Sequence, residues 1–222
     1  MYLLLILVML ILPIWASYNV KSTFSKYSSV HNSRGLTADQ VARQILDSNG
    51  LYNVRIERIS GNLTDHYDPR DNVVRLSDSV YGNTSVSAIG VAAHECGHAC
   101  QHAEEYVPIK IRSAIVPAVN VCSRLWYFAF ILGIIFFETF PALVWVGILM
   151  FSAVVLFQLV TLPVEFDASG RALKTLENDM LLDSSEVPMA RKVLRAAAMT
   201  YVTALVVSII QLLRLLASAK RR

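Results

Sequence analysis

The chain is poor in charge. Of its 222 residues 17% are Asp, Glu, Lys or Arg and 55% are hydrophobic, where a soluble domain carries about a quarter charged. That balance excludes an ordinary soluble domain and fits a protein of the bilayer. The 20 basic and 17 acidic residues nearly cancel, and no run of Lys or Arg alternates with aromatics, so nucleic acid is excluded as a partner. Cysteine is scarce as well: Cys96, Cys100 and Cys122 are an odd set, which excludes a disulfide framework and suits a reducing compartment. Histidine runs out early. None of the five follows His102, so a metal ligand from the second half of the chain has to be a carboxylate. No basic residue precedes the first apolar run, Tyr2 to Tyr18, which therefore reads as an anchor rather than a cleaved signal.

Apolar sequence is abundant and falls into four runs. The second and third lie within Trp126 to Leu162, and one helix of that length would run about 55 Å, too long for a ~30 Å hydrocarbon core. Two spans are expected there, starting near Ala118 and turning at Glu138-Thr139-Phe140-Pro141. The fourth run, Tyr201 to Ser218, carries Gln211 and Arg214, so it either spans or lies against the other helices.

Between the first run and the second span lies a polar stretch, Lys21 to Arg112. Thr37-Ala38-Asp39-Gln40 has the form of a capping box, followed by Val41, Ile45 and Leu46 at helical spacing and stopped by Gly50, which predicts a short helix. Val54 and Ile56 alternate with charged residues, Asn72 to Leu76 is rich in β-formers, and "GNLTDHYDPRD" between them reads as turn; a small sheet is expected. Residues 86 to 105 lack proline and are rich in alanine, so they form a helix.

That helix carries "VAAHECGHACQH". Histidines at i and i+4 lie about 40° apart on one helix face, one turn along, which lets His94 and His98 converge on a single tetrahedral ion. Glu95 is rotated about 100° from His94, beside the metal rather than on it, where a carboxylate can take a proton from a zinc-activated water and pass it to a leaving amine. The competing explanation is a chance match to a loose pattern. The apolar flanks Val91-Ala92-Ala93 weigh against it, since burying an unpaired His-Glu-His set costs several kcal/mol.

A catalytic zinc takes three protein ligands and keeps an open position. His102 is one turn past His98, and three histidines spread along one straight helix exceed the reach of a single ion. Glu104 and Glu105 share that helix, and Glu138 falls at the far end of the membrane hairpin. Glu165, in "LPVEFDASGRAL" just after the third span, is the expected ligand. Asp167 is expected to orient a histidine from behind; the alternative is a surface pair with Arg171. The stretch Asp65 to Leu76 is the expected sheet edge for an extended peptide, with His66 and Tyr67 as candidate donors to the carbonyl oxygen under attack, unless they only cap the turn. Tyr201 and Arg171 are next in line as donors.

Three blocks together, VAAHECGHACQH, the upstream "LTDHYDPRDNVVRLS" and the downstream "LPVEFDASGRAL", resemble the neutral zinc metallopeptidase family of bacterial membrane proteins (YugP-like). The resemblance covers most of the chain. It implies a gluzincin-like α+β peptidase unit among membrane helices, similar in plan to the HtpX type of membrane peptidase, with His94, His98 and Glu165 as ligands of one Zn2+ and Glu95 as base. Gluzincins usually place an aspartate three or four residues past the ligand glutamate; this chain has Ala168 and Ser169 there.

The expected fold is thus a mainly α membrane protein with about four membrane helices and a small α+β unit. Its expected parts are an anchor (1–20), a catalytic unit (21–115), a two-span hairpin (116–162), a helical segment carrying the third ligand (163–200) and a terminal helix with a basic tail (201–222). Lys21, Lys26 and Arg34 follow the first run, which puts the catalytic stretch in the cytoplasm, and the hairpin returns Glu165 to the same side. The expected activity is a multi-pass zinc endopeptidase of protein or peptide substrates; the alternatives are a catalytically silent, metal-stabilised scaffold and a zinc hydrolase of another bond.

Overall fold

Each apolar run proves to be the apolar part of a longer helix. A computed structural model describes residues 2–220, with side chains from residue 5 onward. The elements are α1 (Tyr2–Ser28), α2 (Ala38–Ser48), β1 (Arg55–Ile59), β2 (His66–Asp68), β3 (Val73–Ser77), α3 (Val86–Ala103), α4 (Val107–Ile135), α5 (Ala142–Asn178) and α6 (Val187–Lys220). The architecture is mainly helical with one small sheet. Among the described residues, four helices, α1, α4, α5 and α6, are long and apolar enough to cross a membrane. They keep large apolar side chains exposed, among them Leu10 and Ile14 on α1, Phe128 on α4, Leu149 on α5 and Leu213 on α6. Water would penalise such a belt and lipid would not.

The expected start of the second span, near Ala118, falls inside a helix. Pro108 sits in the first turn of α4, where its missing N–H costs nothing, and Pro117 is absorbed in the interior, so the helix begins well before the apolar run does. The turn at Glu138 to Pro141 is where it was expected. There α4 and α5 pack closely, because a methyl group on Gly133 or Gly147 would collide with the facing backbone. The fourth run lies in α6, whose Arg214 donates to its neighbour Gln211 at 3.4 Å. Of the expected basic tail, Arg221 and Arg222 lie outside the described residues.

In the polar part, α2 buries Val41, Ala42, Ile45 and Leu46 on one face, and the Thr37 N–H donates to Gln40 Oε1 at 3.0 Å, the returning half of the expected capping box. Gly50 takes φ +72, left-handed backbone that suits glycine and ends the helix. The sheet has the order β1-β3-β2, with β1 parallel and β2 antiparallel to β3. β2 lies within "GNLTDHYDPRD", which was expected as turn. A three-residue strand is too short to show a period.

α3 runs through the centre of this unit and is buried along most of its length. Ser85 caps it, its Oγ accepting from the Ala88 N–H at 3.3 Å. The core around it takes Leu46 from α2, Val74 and Leu76 from β3, Leu176 from α5 and Leu194 from α6. Two crossings need small residues. Gly90 faces Ala190 of α6, and a Cβ on Gly97 would sit 2.6 Å from the Ala168 carbonyl oxygen of α5.

Gly97→Ala is therefore expected to push α3 from α5 and to destabilise by roughly 1–3 kcal/mol, as overpacking does. Gly170, with nothing within 4 Å of its ideal Cβ, is the control: Gly170→Ala is expected to be neutral or to stabilise by up to about 1 kcal/mol. Thermal unfolding of both variants in one detergent checks the difference.

Candidate metal centre

The Gly97 crossing brings α5 beside the histidines of α3. His94 and His98, one turn apart, have ring centroids 4.7 Å from each other. Glu165 comes from α5 with its Oε2 3.3 Å from His94 Nε2 and 3.7 Å from His98 Nε2. One ligand atom from each of the three lies within 4.8 Å of the others. Donors around a tetrahedral ion with bonds of 2.0–2.1 Å are about 3.3 Å apart, so the spacing fits a small tetrahedral cation. Two imidazoles and one carboxylate are also a donor set that zinc accepts. Glu165 is only 3% exposed, and a carboxylate so buried requires positive charge or donors beside it.

Each histidine is held from behind. Ser169 Oγ lies 3.1 Å from His94 Nδ1, so a serine hydroxyl stands where gluzincins usually carry an aspartate. His98 Nδ1 donates to Gln101 Oε1 at 3.0 Å, and the Gln101 amide donates to the Val164 carbonyl and to Asp167 Oδ2, each at 2.8 Å. Both contacts leave the Nε2 atoms facing Glu165. Neither Ser169 nor Gln101 was foreseen as a partner, because a polar residue on a helix gives no sign in sequence of which neighbouring helix it will meet.

Asp167 touches no histidine directly; it forms the alternative pair with Arg171 and reaches His98 only through Gln101. It accepts from Gln101, and also from Arg171 Nε at 2.6 Å. Arg171 is further engaged with Glu104 at 2.7 Å and is not among the residues lining the two cavities at the cluster. Glu95 is 8% exposed, and its Oε2 accepts from the Tyr67 backbone N–H of β2 at 3.0 Å. The Tyr67 phenol donates to Asn72 Oδ1 at 3.0 Å, while the residue lines the larger cavity at the cluster. His66 Nδ1 rests on the Thr64 carbonyl at 2.9 Å.

Two cavities meet at the cluster, with His94, Glu95, Glu165, Asp65 and Tyr201 bordering both. The larger, about 510 Å³, has a lining of mixed character in which His66, His98, His102 and Arg112 supply polar groups. The smaller, about 200 Å³, is apolar, with Phe24, Leu63, Val91, Val193 and Leu194. Arg112, at the start of α4, has a buried Nε without a hydrogen-bond partner and was not foreseen. His102 packs on the Tyr67 ring. Burial, with His98 and Arg112 nearby, lowers its pKa from the ordinary histidine value. Burial likewise pushes the Asp65 carboxyl up, against two hydrogen bonds from Ser77. It also raises the Cys100 thiol to about 11 and the Cys96 thiol well above its usual value; neither offers a thiolate.

Residues 2–220 match a protein family described as "Putative neutral zinc metallopeptidase". The chain is similar to "Putative membrane protease YugP" of Bacillus subtilis (strain 168), with 49% identity over 203 residues, 91% of this chain and 89% of the relative. No solved structure matches it.

Metal analysis of the purified protein is expected to give about one zinc per chain. His94→Ala and His98→Ala lose it and Glu165→Ala weakens it. Ser169→Ala is expected to lower zinc affinity by about 10- to 100-fold, the usual effect of removing a group that orients a ligand. Full occupancy in Glu165→Ala together with loss in Asp167→Ala would move the third ligand to Asp167.

Proposed function

The chain belongs to the neutral zinc metallopeptidase family, and from that premise we propose that it is a membrane-embedded zinc metalloendopeptidase with its active site at the cytoplasmic face. The observation that carries this reading is the meeting of His94, His98 and Glu165 with Glu95 at the junction of two cavities. A purely structural zinc site is closed by four protein ligands; three groups beside a cavity leave a position for water and substrate. That distinction, and a carboxylate that only catalysis needs, speak against the silent scaffold.

His94, His98 and Glu165 would hold the zinc, which when bound would supply Lewis acidity. The residues do the rest. Glu95, aimed by the Tyr67 amide, takes the proton of the attacking water and delivers it to the leaving nitrogen. Tyr201 of α6 borders both cavities together with Glu165 and Glu95, and its phenol donates to the carbonyl oxygen as charge develops on it, the role for which Tyr67 and His66 were the first candidates. Arg112, with its unpartnered Nε, provides a cation to hold a main-chain carbonyl of the substrate. The apolar cavity takes a hydrophobic side chain next to the cleaved bond. β2 is the sheet edge nearest α3 and supports an extended peptide over its short length, with His66 at the cavity's rim.

The cytoplasmic assignment rests on charge. Lys21 and Lys26 close α1, Lys110 and Arg112 open α4, Arg171 and Lys174 lie near the end of α5, and Arg191, Lys192 and Arg195 open α6. These flank the apolar spans on the catalytic side, which supports the reading under the positive-inside rule, whereas Lys220 at the opposite end of α6 counts against it if that helix spans. Alkaline phosphatase fused into the α4–α5 turn is expected to be active and a fusion behind residue 80 inactive. The reverse pattern would place the site outside.

Glu95→Gln is expected to keep its zinc and to lose peptidase activity by several orders of magnitude, because the amide cannot accept a proton. Tyr201→Phe is expected to lower kcat by about 10²-fold with little change in KM. Comparative proteomics of cells making wild type or Glu95→Gln, scored for new protein termini, identifies the substrates. Near-wild-type cleavage by zinc-loaded Glu95→Gln would overturn the mechanism.

A further inference from the structure

The α1–α6 pair has a second groove on its other side. Val20 and Phe24 of α1 and Val193, Leu194, Ala197 and Ala198 of α6 line the apolar cavity at the metal cluster. The intervening residues Asn19, Thr23 and Lys26 of α1 and Lys192 and Arg195 of α6 line an open groove of about 360 Å³. Three cations thus meet across two helices with no carboxylate in the lining. Among the described residues none of the three is ion-paired. The half-buried Asn19 amide and Thr23 hydroxyl also make no hydrogen bond there.

Lys26 on one helix repels Lys192 and Arg195 on the other, so the groove weakens the helix contact that walls the active-site cavity. An anion in the groove would reverse the sign of that interaction. The groove's depth in the membrane says which anion. Trp15, about one turn before Asn19, and Tyr18, immediately before it, are exposed on α1, and exposed Trp and Tyr mark the bilayer interface. Lys26 lies about two turns further along, so the groove opens at the level of the lipid phosphates. Basic pockets between membrane helices at this level bind anionic headgroups.

We propose that this groove binds the phosphate of an anionic phospholipid, which ties α1 to α6. The arginine offers a two-pronged contact to phosphate oxygens and the lysines point charges; Thr23 and Asn19 add neutral donors. The site is independent of peptide hydrolysis and requires only that α1 and α6 lie in the bilayer.

The full chain in mild detergent, studied by native mass spectrometry and thermal unfolding, tests this. Phosphatidylglycerol is expected to be retained over phosphatidylcholine by on the order of 100-fold, the effect of three cations near the surface, and to raise the unfolding temperature. The variant K26Q/K192Q/R195Q is expected to lose both effects while keeping its zinc content, which shows that it is folded. A charge-matched variant, K21Q/K110Q/K174Q, is expected to keep both. Equal retention of the two lipids, or equal loss in both variants, overturns the site. Inorganic phosphate that gives the same thermal protection without lipid, and displaces phosphatidylglycerol, overturns the lipid in favour of a small anion.

Discussion

The contact of α3 with α5 at Gly97 and Ala168 fixes the distance on which the centre depends. Bonds to zinc near 2 Å allow errors of only tenths of an ångström, whereas side-chain packing between helices tolerates more. The chain meets the stricter requirement by removing the side chain at the crossing. With α5 backbone against α3 backbone, Glu165 reaches two histidines of the neighbouring helix from within its own first few bonds. Gln101 fastens the same pair one turn on by binding Val164 and Asp167, and Ser169 fastens it through His94. Each of these ties both holds the helices together and aims a ligand.

Because α5 is one helix of 37 residues, its lipid-facing part and its ligand-bearing part are mechanically continuous. The same holds for α6, which carries Tyr201 to the cluster and apolar side chains to the bilayer, and for α1, which walls the apolar cavity with Phe24. The site therefore sits where the helices leave the membrane.

Much of this arrangement was legible in the residues, and the remainder fails for identifiable reasons. The His94 and His98 spacing is a property of any helix, so it was readable without a fold. Glu165 followed from the exhaustion of histidine after His102 and from the need for a hairpin to return. The α2 helix announced itself through Thr37, Gln40 and the Val41, Ile45, Leu46 stripe. In contrast, β2 is too short for a period, and the early start of α4 is masked because its first turns are polar while its span is apolar. Ser169, Gln101 and Arg112 act across tertiary contacts between different helices, which leave no mark at the level of local spacing. Tyr67 was placed correctly near the cleft, but the Asn72 side chain competes for its hydroxyl, and only its backbone faces Glu95.

The third ligand's place in the chain sets the order in which the centre can be assembled. During synthesis α3 emerges with His94 and His98 well before Glu165, which is made only after α4 and most of α5 have been delivered to the membrane. A chain made only as far as α3 holds two imidazoles and lacks the carboxylate that α5 adds to the cluster. The three-residue cluster is thus complete only in a chain whose α5 has packed against α3.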